Sequence, residues 1–233
     1  MRNIVRLLTA CLAVWSIGAH AQDAPRQQEF KSSSAPARVV VVISGQSGMP
    51  AYNPAAQQIA NAGFQVVLVD GNDFWIKDTR RAWDMLRGVI TRAQAGPDAL
   101  PGKVGVVGFS LGGATTLTYA ARMPDLVATA VAAYPLTSFI KDPADFVGKI
   151  KVPVQVFAGT TDTYNNCCLI DTARQLAAAA KAQTAPMLAL HEYTGVGHGF
   201  NLPTAAAKDV AAGQDAMERT IAILKQALPA GGK

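Results

Sequence analysis

Residues 103–123 contain, in order, a short apolar segment, a serine between two glycines and a stretch typical of a helix. This succession constrains the fold more than any other feature of the chain. Residues 103–107 are rich in valine, which predicts a buried strand. Ser110 follows in a Gly-x-Ser-x-Gly motif, between Gly108 and Gly112. The motif predicts a sharp strand-to-helix turn that lifts the serine hydroxyl clear of a sheet. The first amides of the helix would favour negative charge at the same place.

An ordinary helix N-cap at Ser110 would also explain the motif. A serine nucleophile, however, needs a base, and the base needs an orienting acid. His198 lies in a glycine-rich loop, where flanking glycines let an imidazole approach another backbone closely. Asp162 directly follows another apolar segment, although a plain turn residue is the alternative. We predict Ser110 as nucleophile, His198 as general base and Asp162 as orienting acid, and we assign His191, inside a predicted strand, a structural role.

Apolar strands alternate with amphipathic helices from residue 38 onward. This alternation predicts an α/β fold, a mainly parallel sheet with helices on both faces. The length suits a single domain, which we place at residues 38–233. The three candidate residues each follow a predicted strand, so they meet at the carboxyl edge of the sheet. The predicted strands are 38–44, 65–70, 103–108, 127–133, 152–158 and 186–193, and the predicted helices are 54–61, 78–95, 110–123, 170–181 and 206–228.

The chain resembles the dienelactone hydrolase family of small α/β-hydrolases over roughly residues 39–228, and its serine, aspartate, histidine order is that of α/β-hydrolases. The resemblance implies an α/β-hydrolase fold without a large lid, and the three roles given above. The namesake enzymes carry a cysteine where this chain has Ser110, and a glutamate where it has residues 44–48. The resemblance therefore implies ester hydrolysis in general rather than dienelactone hydrolysis. It is carried by residues 104–113, 159–162 and 197–200.

The oxyanion that forms during ester cleavage needs two hydrogen-bond donors. We predict the backbone amide of Leu111, the residue after the serine, as the first donor. The amide of Gln46, in the loop after the first core strand, is the predicted second donor, with Ser47 as the next choice. Aromatic residues after strands at the same edge are predicted to line an apolar substrate pocket, although core packing would explain each equally well. They are Phe74, Trp75, Tyr134 and Tyr164.

Cys167 and Cys168 are adjacent and follow the acid candidate closely. A vicinal disulfide is awkward, because trans-linked Cα atoms are about 3.8 Å apart, below the usual ~4.4–6.8 Å. A vicinal disulfide, two buried thiols and an intermolecular bridge all remain open. Two adjacent thiols without nearby histidines lack the spacing of a metal site, so we expect no metal, and we expect no cofactor.

The first 21 residues have the pattern of a cleaved signal peptide. Arg2 and Arg6 precede an apolar stretch, residues 7–17, that is too short to span a bilayer, and residues 19–21 form an Ala-x-Ala cleavage site. An uncleaved anchor is the alternative. Residues 22–37 are polar and predicted to be a flexible leader. The pattern predicts a periplasmic or secreted protein.

Charge and hydropathy limit the classes of partner that we expect for this chain. The formal net charge of +5 falls to +3 without Arg2 and Arg6, which is too mild to favour nucleic acid. No later apolar run has the length of a transmembrane helix, so we expect no stable membrane insertion after cleavage. The expected partner is a small-molecule ester, and the sequence carries no signal for an oligomeric state. A peptidase or acyltransferase with the same triad, and a non-catalytic exported binding protein, are the competing hypotheses.

Overall fold

The computed structural model describes residues 24–230 of the chain, and the predicted signal peptide, residues 1–21, lies outside this range. The described residues form seven strands and six α-helices. The strands are β1 (Gln27–Phe30), β2 (Val39–Ile43), β3 (Gln65–Val69), β4 (Val104–Phe109), β5 (Val127–Ala133), β6 (Val154–Gly159) and β7 (Leu188–Tyr193). The helices are α1 (Asn53–Asn61), α2 (Thr79–Gln94), α3 (Leu111–Thr118), α4 (Pro143–Gly148), α5 (Ile170–Lys181) and α6 (Val210–Ala227).

All seven strands belong to one sheet, in the order β1-β3-β2-β4-β5-β6-β7. Every neighbouring pair is parallel except β1 and β3, which are antiparallel. The central strands β2 and β4 are buried along their whole length, because helices cover both faces of a parallel sheet. The predicted α/β fold with a mainly parallel sheet is therefore confirmed.

The sheet separates the apolar core into two layers, one on each of its faces. Val40 and Val42 of β2 pack in one apolar cluster with residues of α1 and α6. Val39 and Val41 point to the other face and pack in a cluster with α2. A third cluster on that second face joins β5 and β6 to α3, α4 and α5. Because successive residues of a strand face opposite sides, a continuous valine run can fill both clusters.

The prediction of a flexible leader over residues 22–37 is wrong where β1 forms. Gln27 pairs with Val69 and Phe30 with Val66, so this segment adds an antiparallel edge strand to the sheet. Arg26 also forms an ion pair with the buried Asp70, at 2.9 Å. Only the last of the four β1 side chains is buried, so the strand is held mainly by backbone hydrogen bonds. A strand of this polar composition is not recognised from the sequence, because its residues have no alternating apolar pattern.

The connection between β5 and β6 contains only one short helix, α4, which the sequence analysis did not predict. Its start is marked by Asp142, whose side chain accepts a hydrogen bond from the amide of Asp145 at 3.0 Å, and by Pro143 in the first turn. This Asp-Pro pair is the signal that could have revealed it. No helix within residues 24–230 combines the length and the apolar character that crossing a membrane requires.

Candidate active site

Ser110 occupies a strained turn between β4 and α3, in residues 108–113, which we call the elbow. Its backbone has φ 50° and ψ −112°, a positive φ that residues with side chains rarely adopt. A Cβ atom at Gly108 would overlap the carbonyl oxygen of Gly112, and one at Gly112 would overlap the carbonyl oxygen of Ile43. The glycines of the motif are therefore required by backbone contacts on both sides of the serine.

Hydrogen bonds to both sides hold the backbone of Ser110 in this conformation. Its amide donates to the carbonyl oxygen of Ala133 at the end of β5, at 3.0 Å. Its own carbonyl oxygen accepts from the amides of Ala114, at 3.1 Å, and Leu136, at 3.0 Å. Strain of this kind persists only where the surroundings over-determine the conformation, and it is common at functional sites. The elbow therefore fixes where the hydroxyl points.

The structure brings Ser110, His198 and Asp162 into one hydrogen-bonded series. The Nε2 atom of His198 lies 3.0 Å from Oγ of Ser110, and its Nδ1 atom lies 2.7 Å from Oδ2 of Asp162. The Asp162 carboxylate is buried, and only 14% of the His198 side chain is exposed. With the proton on Nδ1, the ring donates to the carboxylate and its Nε2 can accept the serine proton. The arrangement is thus able to activate a hydroxyl group.

Close backbone contact joins the loops that carry the acid and the imidazole. Asp162 lies in residues 160–168, which we call the acid loop and which follow β6. The amide of Thr160 donates to the carbonyl oxygen of Tyr193 at 2.9 Å, and the amide of Gly195 donates to Oγ1 of Thr160 at 2.8 Å. A side chain at Gly159 would overlap the carbonyl oxygen of Val196, so glycine permits this approach.

Two tyrosine rings contact the imidazole of His198. The ring of Tyr164 lies flat against it, with centroids 4.6 Å apart and an interplanar angle of 7°. Tyr134 meets it edge-on, at 4.8 Å and 69°. Tyr164 is 46% exposed, and its contact with a substrate stays a prediction. Tyr134 is completely buried, so the prediction that it lines the pocket is wrong, and its ring instead supports the imidazole from within the core.

Tyr52 and Asn201, which the sequence analysis did not identify, lie behind the site. The hydroxyl of Tyr134 donates to Oδ1 of Asn201, three residues after His198. Burial raises the pKa of Tyr52 to about 12 and raises that of Tyr134 well above its usual value. Both tyrosines therefore remain neutral in the core. Asn201 lies three residues after His198, and this closeness to a predicted site residue is the sequence signal that could have pointed to it.

The predicted oxyanion donors lie on neighbouring segments. Leu111 is the first residue of α3, so its amide has no acceptor within the helix. Gln46 is in an exposed loop, where its carbonyl oxygen accepts from Nδ2 of Asn72 at 3.2 Å. A Cβ atom at Gly45 would come within 3.2 Å of the carbonyl oxygen of Phe109, so this loop starts against the elbow.

An apolar cavity of about 470 Å³ lies along α3. Phe74 and Trp75, two of the predicted pocket residues, line it. Phe74 is buried, whereas Trp75 is 52% exposed and contacts Phe139 edge-on, with centroids 5.9 Å apart. Ala114 also lines the cavity, about one helical turn from Ser110. The structure therefore places Phe74 and Trp75 together near the elbow.

His191 lies on β7 and has a different partner. Its Nε2 atom is 2.8 Å from Oε1 of Gln155, on the neighbouring strand β6. Burial lowers its pKa, and the positive charge of Arg219 adds to this effect. The ring also contacts Phe157 edge-on at 5.1 Å. Its surroundings are those of a packed, neutral histidine.

Cys167 and Cys168 are joined by a disulfide bond in the structure. The sulfur of Cys168, a carboxylate oxygen of Asp162 and a ring nitrogen of His198 all lie within 4.8 Å of one another. These three groups do not fit a metal ion. A bridged sulfur is not a thiolate ligand, and the other two groups hydrogen-bond each other.

Comparison with known proteins identifies relatives. The family model described as "Dienelactone hydrolase family" matches residues 71–228. Protein usf from Aquifex pyrophilus is 32% identical over 130 residues, covering 55% of this chain and 53% of that protein, so the chain spans about half that relative's length.

Two solved structures show the same fold. A proposed dienelactone hydrolase from Klebsiella pneumoniae has a TM-score of 0.70 at 20% identity, covering 86% of this chain and 92% of its own. Est2, a thermophilic esterase from Thermogutta terrifontis, has a TM-score of 0.62 at 18% identity, with 88% and 91% covered.

Proposed function

The chain belongs to the dienelactone hydrolase family, and from that premise we propose that it is an exported serine hydrolase that cleaves carboxylic esters of small or soluble substrates. Membership of this family and the fold shared with an esterase support a hydrolase that acts on ester bonds. The finer assignment is carried by one observation, the continuous series of hydrogen bonds from Ser110 through His198 to Asp162.

Ser110 attacks the ester carbonyl in the proposed reaction. A serine hydroxyl is a weak nucleophile, and Nε2 of His198 removes its proton during the attack. The imidazolium then returns this proton to the leaving alcohol, and an acyl-enzyme remains. A water molecule, activated by the same imidazole, hydrolyses the acyl-enzyme. Asp162 keeps the proton on Nδ1 and stabilises the imidazolium.

The amides of Leu111 and Gln46 bind the oxyanion in this proposal. The free amide at the start of α3 supports the first assignment. The contact between Gly45 and the elbow supports the second, because it brings the start of the Gln46 loop to the serine. Losing one such donor typically costs about 10²- to 10³-fold in turnover.

The cavity along α3 receives an apolar part of the ester. Its mainly apolar lining, which includes Phe74, Trp75 and Phe139, favours an alkyl or aromatic group, and Lys77 adds one charged side chain to it. The only helix between β5 and β6 is α4, with six residues, so the described part of the chain holds no lid domain over the site. An open site favours small or soluble esters over long acyl chains that need a covered tunnel.

Export is proposed from the signal-peptide pattern of residues 1–21. Expression of the full chain in a Gram-negative host, followed by fractionation and intact-mass measurement, tests this part. We expect a periplasmic or secreted product that begins at Gln22. A full-length product retained with the membrane or cytoplasm would contradict export without affecting the chemistry.

Hydrolysis of p-nitrophenyl acetate by the wild type and by Ser110→Ala tests the activity. We expect the substitution to abolish turnover without unfolding the chain. Ser33→Ala, at an exposed position, is the matched control and should retain the wild-type rate. Mass spectrometry after treatment with a fluorophosphonate should locate a single adduct on Ser110. Equal rates for the wild type and Ser110→Ala, after identical purification, would refute the assignment.

A further inference from the structure

The disulfide of the acid loop lies close to the acid and the imidazole. Cys168 is only 3% exposed. Its sulfur, a carboxylate oxygen of Asp162 and a ring nitrogen of His198 all lie within 4.8 Å of one another. The bridge therefore lies beside the acid–base pair, and a displacement of its sulfur changes the surroundings of that pair.

The same loop makes two further contacts to the acid–base pair. The amide of Tyr164 donates to Oδ1 of Asp162 at 3.0 Å, while Oδ2 faces His198. The ring of Tyr164 covers one face of the imidazole. Both oxygens of the carboxylate and one face of its partner thus depend on the backbone path of residues 162–168.

That backbone path is unusual, and the bridge lies at its end. Asn165 and Asn166 have φ of 47° and 51°, in the left-handed region. The carbonyl oxygen of Cys167 then accepts from the amides of Thr137, at 2.8 Å, and Ser138, at 3.0 Å. These two bonds join the acid loop to the segment after β5. The residues between Asp162 and this anchor are exposed and have no core packing to fix them.

We propose that the Cys167–Cys168 disulfide is a positioning element that holds Asp162 and Tyr164 against His198, and that its reduction lowers turnover. This inference rests on the proposed function, because it assigns a control to the same site. Neither cysteine belongs to the proposed series of Ser110, His198 and Asp162, so the bridge acts through the acid and the imidazole.

A dithiol supplies the electrons for the reductive step. Its thiolate attacks the sulfur of Cys167, which is the more exposed of the two, and the thiolate of Cys168 leaves. The second thiol of the reductant then displaces Cys167 and closes its own disulfide. Two electrons and two protons pass to the protein, which gains two thiols. An oxidising compartment reverses the step.

Reduction displaces the loop for a geometric reason. Two sulfur atoms that are no longer bonded must separate to van der Waals contact. The sulfur of Cys168 is buried within 4.8 Å of Asp162 and His198, so the separation changes either the packing beside this pair or the backbone path at Cys167 that anchors the loop. A misplacement of about 1 Å at a catalytic group can cost on the order of 10²-fold in rate. We therefore expect kcat to fall by about 10- to 100-fold, with a smaller change in KM because the α3 cavity is not part of the loop.

Kinetics of the full chain with and without dithiothreitol test this inference. Alkylation followed by peptide mapping first verifies that reduction frees Cys167 and Cys168. Hydrolysis of p-nitrophenyl acetate then gives kcat and KM for each form. Proton NMR of ¹⁵N-histidine-labelled protein follows the Nδ1–H resonance of His198, identified by its absence in His198→Ala. We expect this resonance to broaden on reduction, and both kcat and the resonance to recover on reoxidation.

The Cys167→Ser/Cys168→Ser variant is the matched control. It should show the low kcat of the reduced wild type and no response to dithiothreitol. Because the bridge closes a minimal loop, little chain entropy depends on it, and the melting temperature should change little. A fall in melting temperature that parallels the loss of activity would instead mean a general structural role and would overturn the inference.

Two other outcomes overturn it. The inference fails if the unreduced, denatured protein already has alkylatable thiols at Cys167 and Cys168. It also fails if the reduced protein keeps its kcat and its imidazole resonance. Absence of Ser110-dependent hydrolysis in the oxidised form would instead refute the proposed function, and the resonance alone would then decide whether the bridge holds the acid–base pair.

Discussion

The elbow and the acid loop meet at the same imidazole but are held in place in opposite ways. Every residue of the elbow is buried, and its glycines leave no room for an added atom. Residues 163–166 of the acid loop are exposed, and the loop is held by individual links at Asp162, Tyr164 and Cys167. Close backbone packing on both sides of Ser110 therefore adds to the hydrogen bonds that fix the proposed nucleophile, whereas beyond Gly159 the acid loop depends on a few individual contacts.

His198 is the point at which the two regions meet, so its removal should have the largest effect. We expect His198→Ala to lower kcat by about 10⁴- to 10⁶-fold, because the hydroxyl loses its base. His191→Ala is the matched control and should retain most of the activity, since His191 pairs with Gln155 instead. Steady-state kinetics on p-nitrophenyl acetate measure both, and a loss in His191→Ala alone would mean that the wrong histidine is assigned.

Removing the charge of the acid without changing its shape should have the next largest effect. Asp162→Asn keeps the amide of Tyr164 bonded but cannot orient the imidazole with its proton on Nδ1, so we expect kcat to fall by about 10⁴-fold. Asp171→Asn, at an exposed position in α5, is the control and should be near wild type. The role of Asp162 would be wrong if Asp162→Asn lowered the free energy of unfolding but left kcat unchanged, because the acid would then serve the fold.

Gly112→Ala tests the packing of the elbow. The added methyl group would overlap the carbonyl oxygen of Ile43, so we expect a loss of about 1–3 kcal/mol or more in the free energy of unfolding. Gly148→Ala is the control, because its methyl group would meet only the side chain of Gln183, at 3.7 Å. Urea titrations of the two variants measure the difference. Equal stability would show that the elbow relaxes and is not fixed by packing.

This contrast also explains which features could be predicted from the sequence. The elbow is encoded in adjacent residues, because an apolar strand, two glycines and a helix together leave one conformation for Ser110. The central strands were predicted closely for the same reason, since a buried strand such as β2 is a continuous valine run. Both features depend on local sequence and on burial.

The remaining features depend on contacts between distant residues. The β1 strand is held by backbone bonds to β3, and its exposed polar side chains carry no pattern. Tyr134 was predicted to face the pocket from its position after β5, but its positive φ of 36° goes with a ring that is buried against His198. Tyr52 gave no signal, because a tyrosine in the core is recognised only when its neighbours are known.

Tyr164 provides the mildest test of the acid loop. Its ring stacks on the imidazole, and aromatic contacts of this kind contribute about 0.5–1.5 kcal/mol, which corresponds to about a 2- to 10-fold change in rate. We expect Tyr164→Leu to lower kcat/KM by this factor and Tyr164→Phe to restore it, because the phenyl ring keeps the stack. The backbone amide that bonds Asp162 is present in both variants, so the difference isolates the ring. If neither variant differs from wild type, the imidazole is positioned by Asp162 and Tyr134 alone, and the acid loop contributes only its carboxylate.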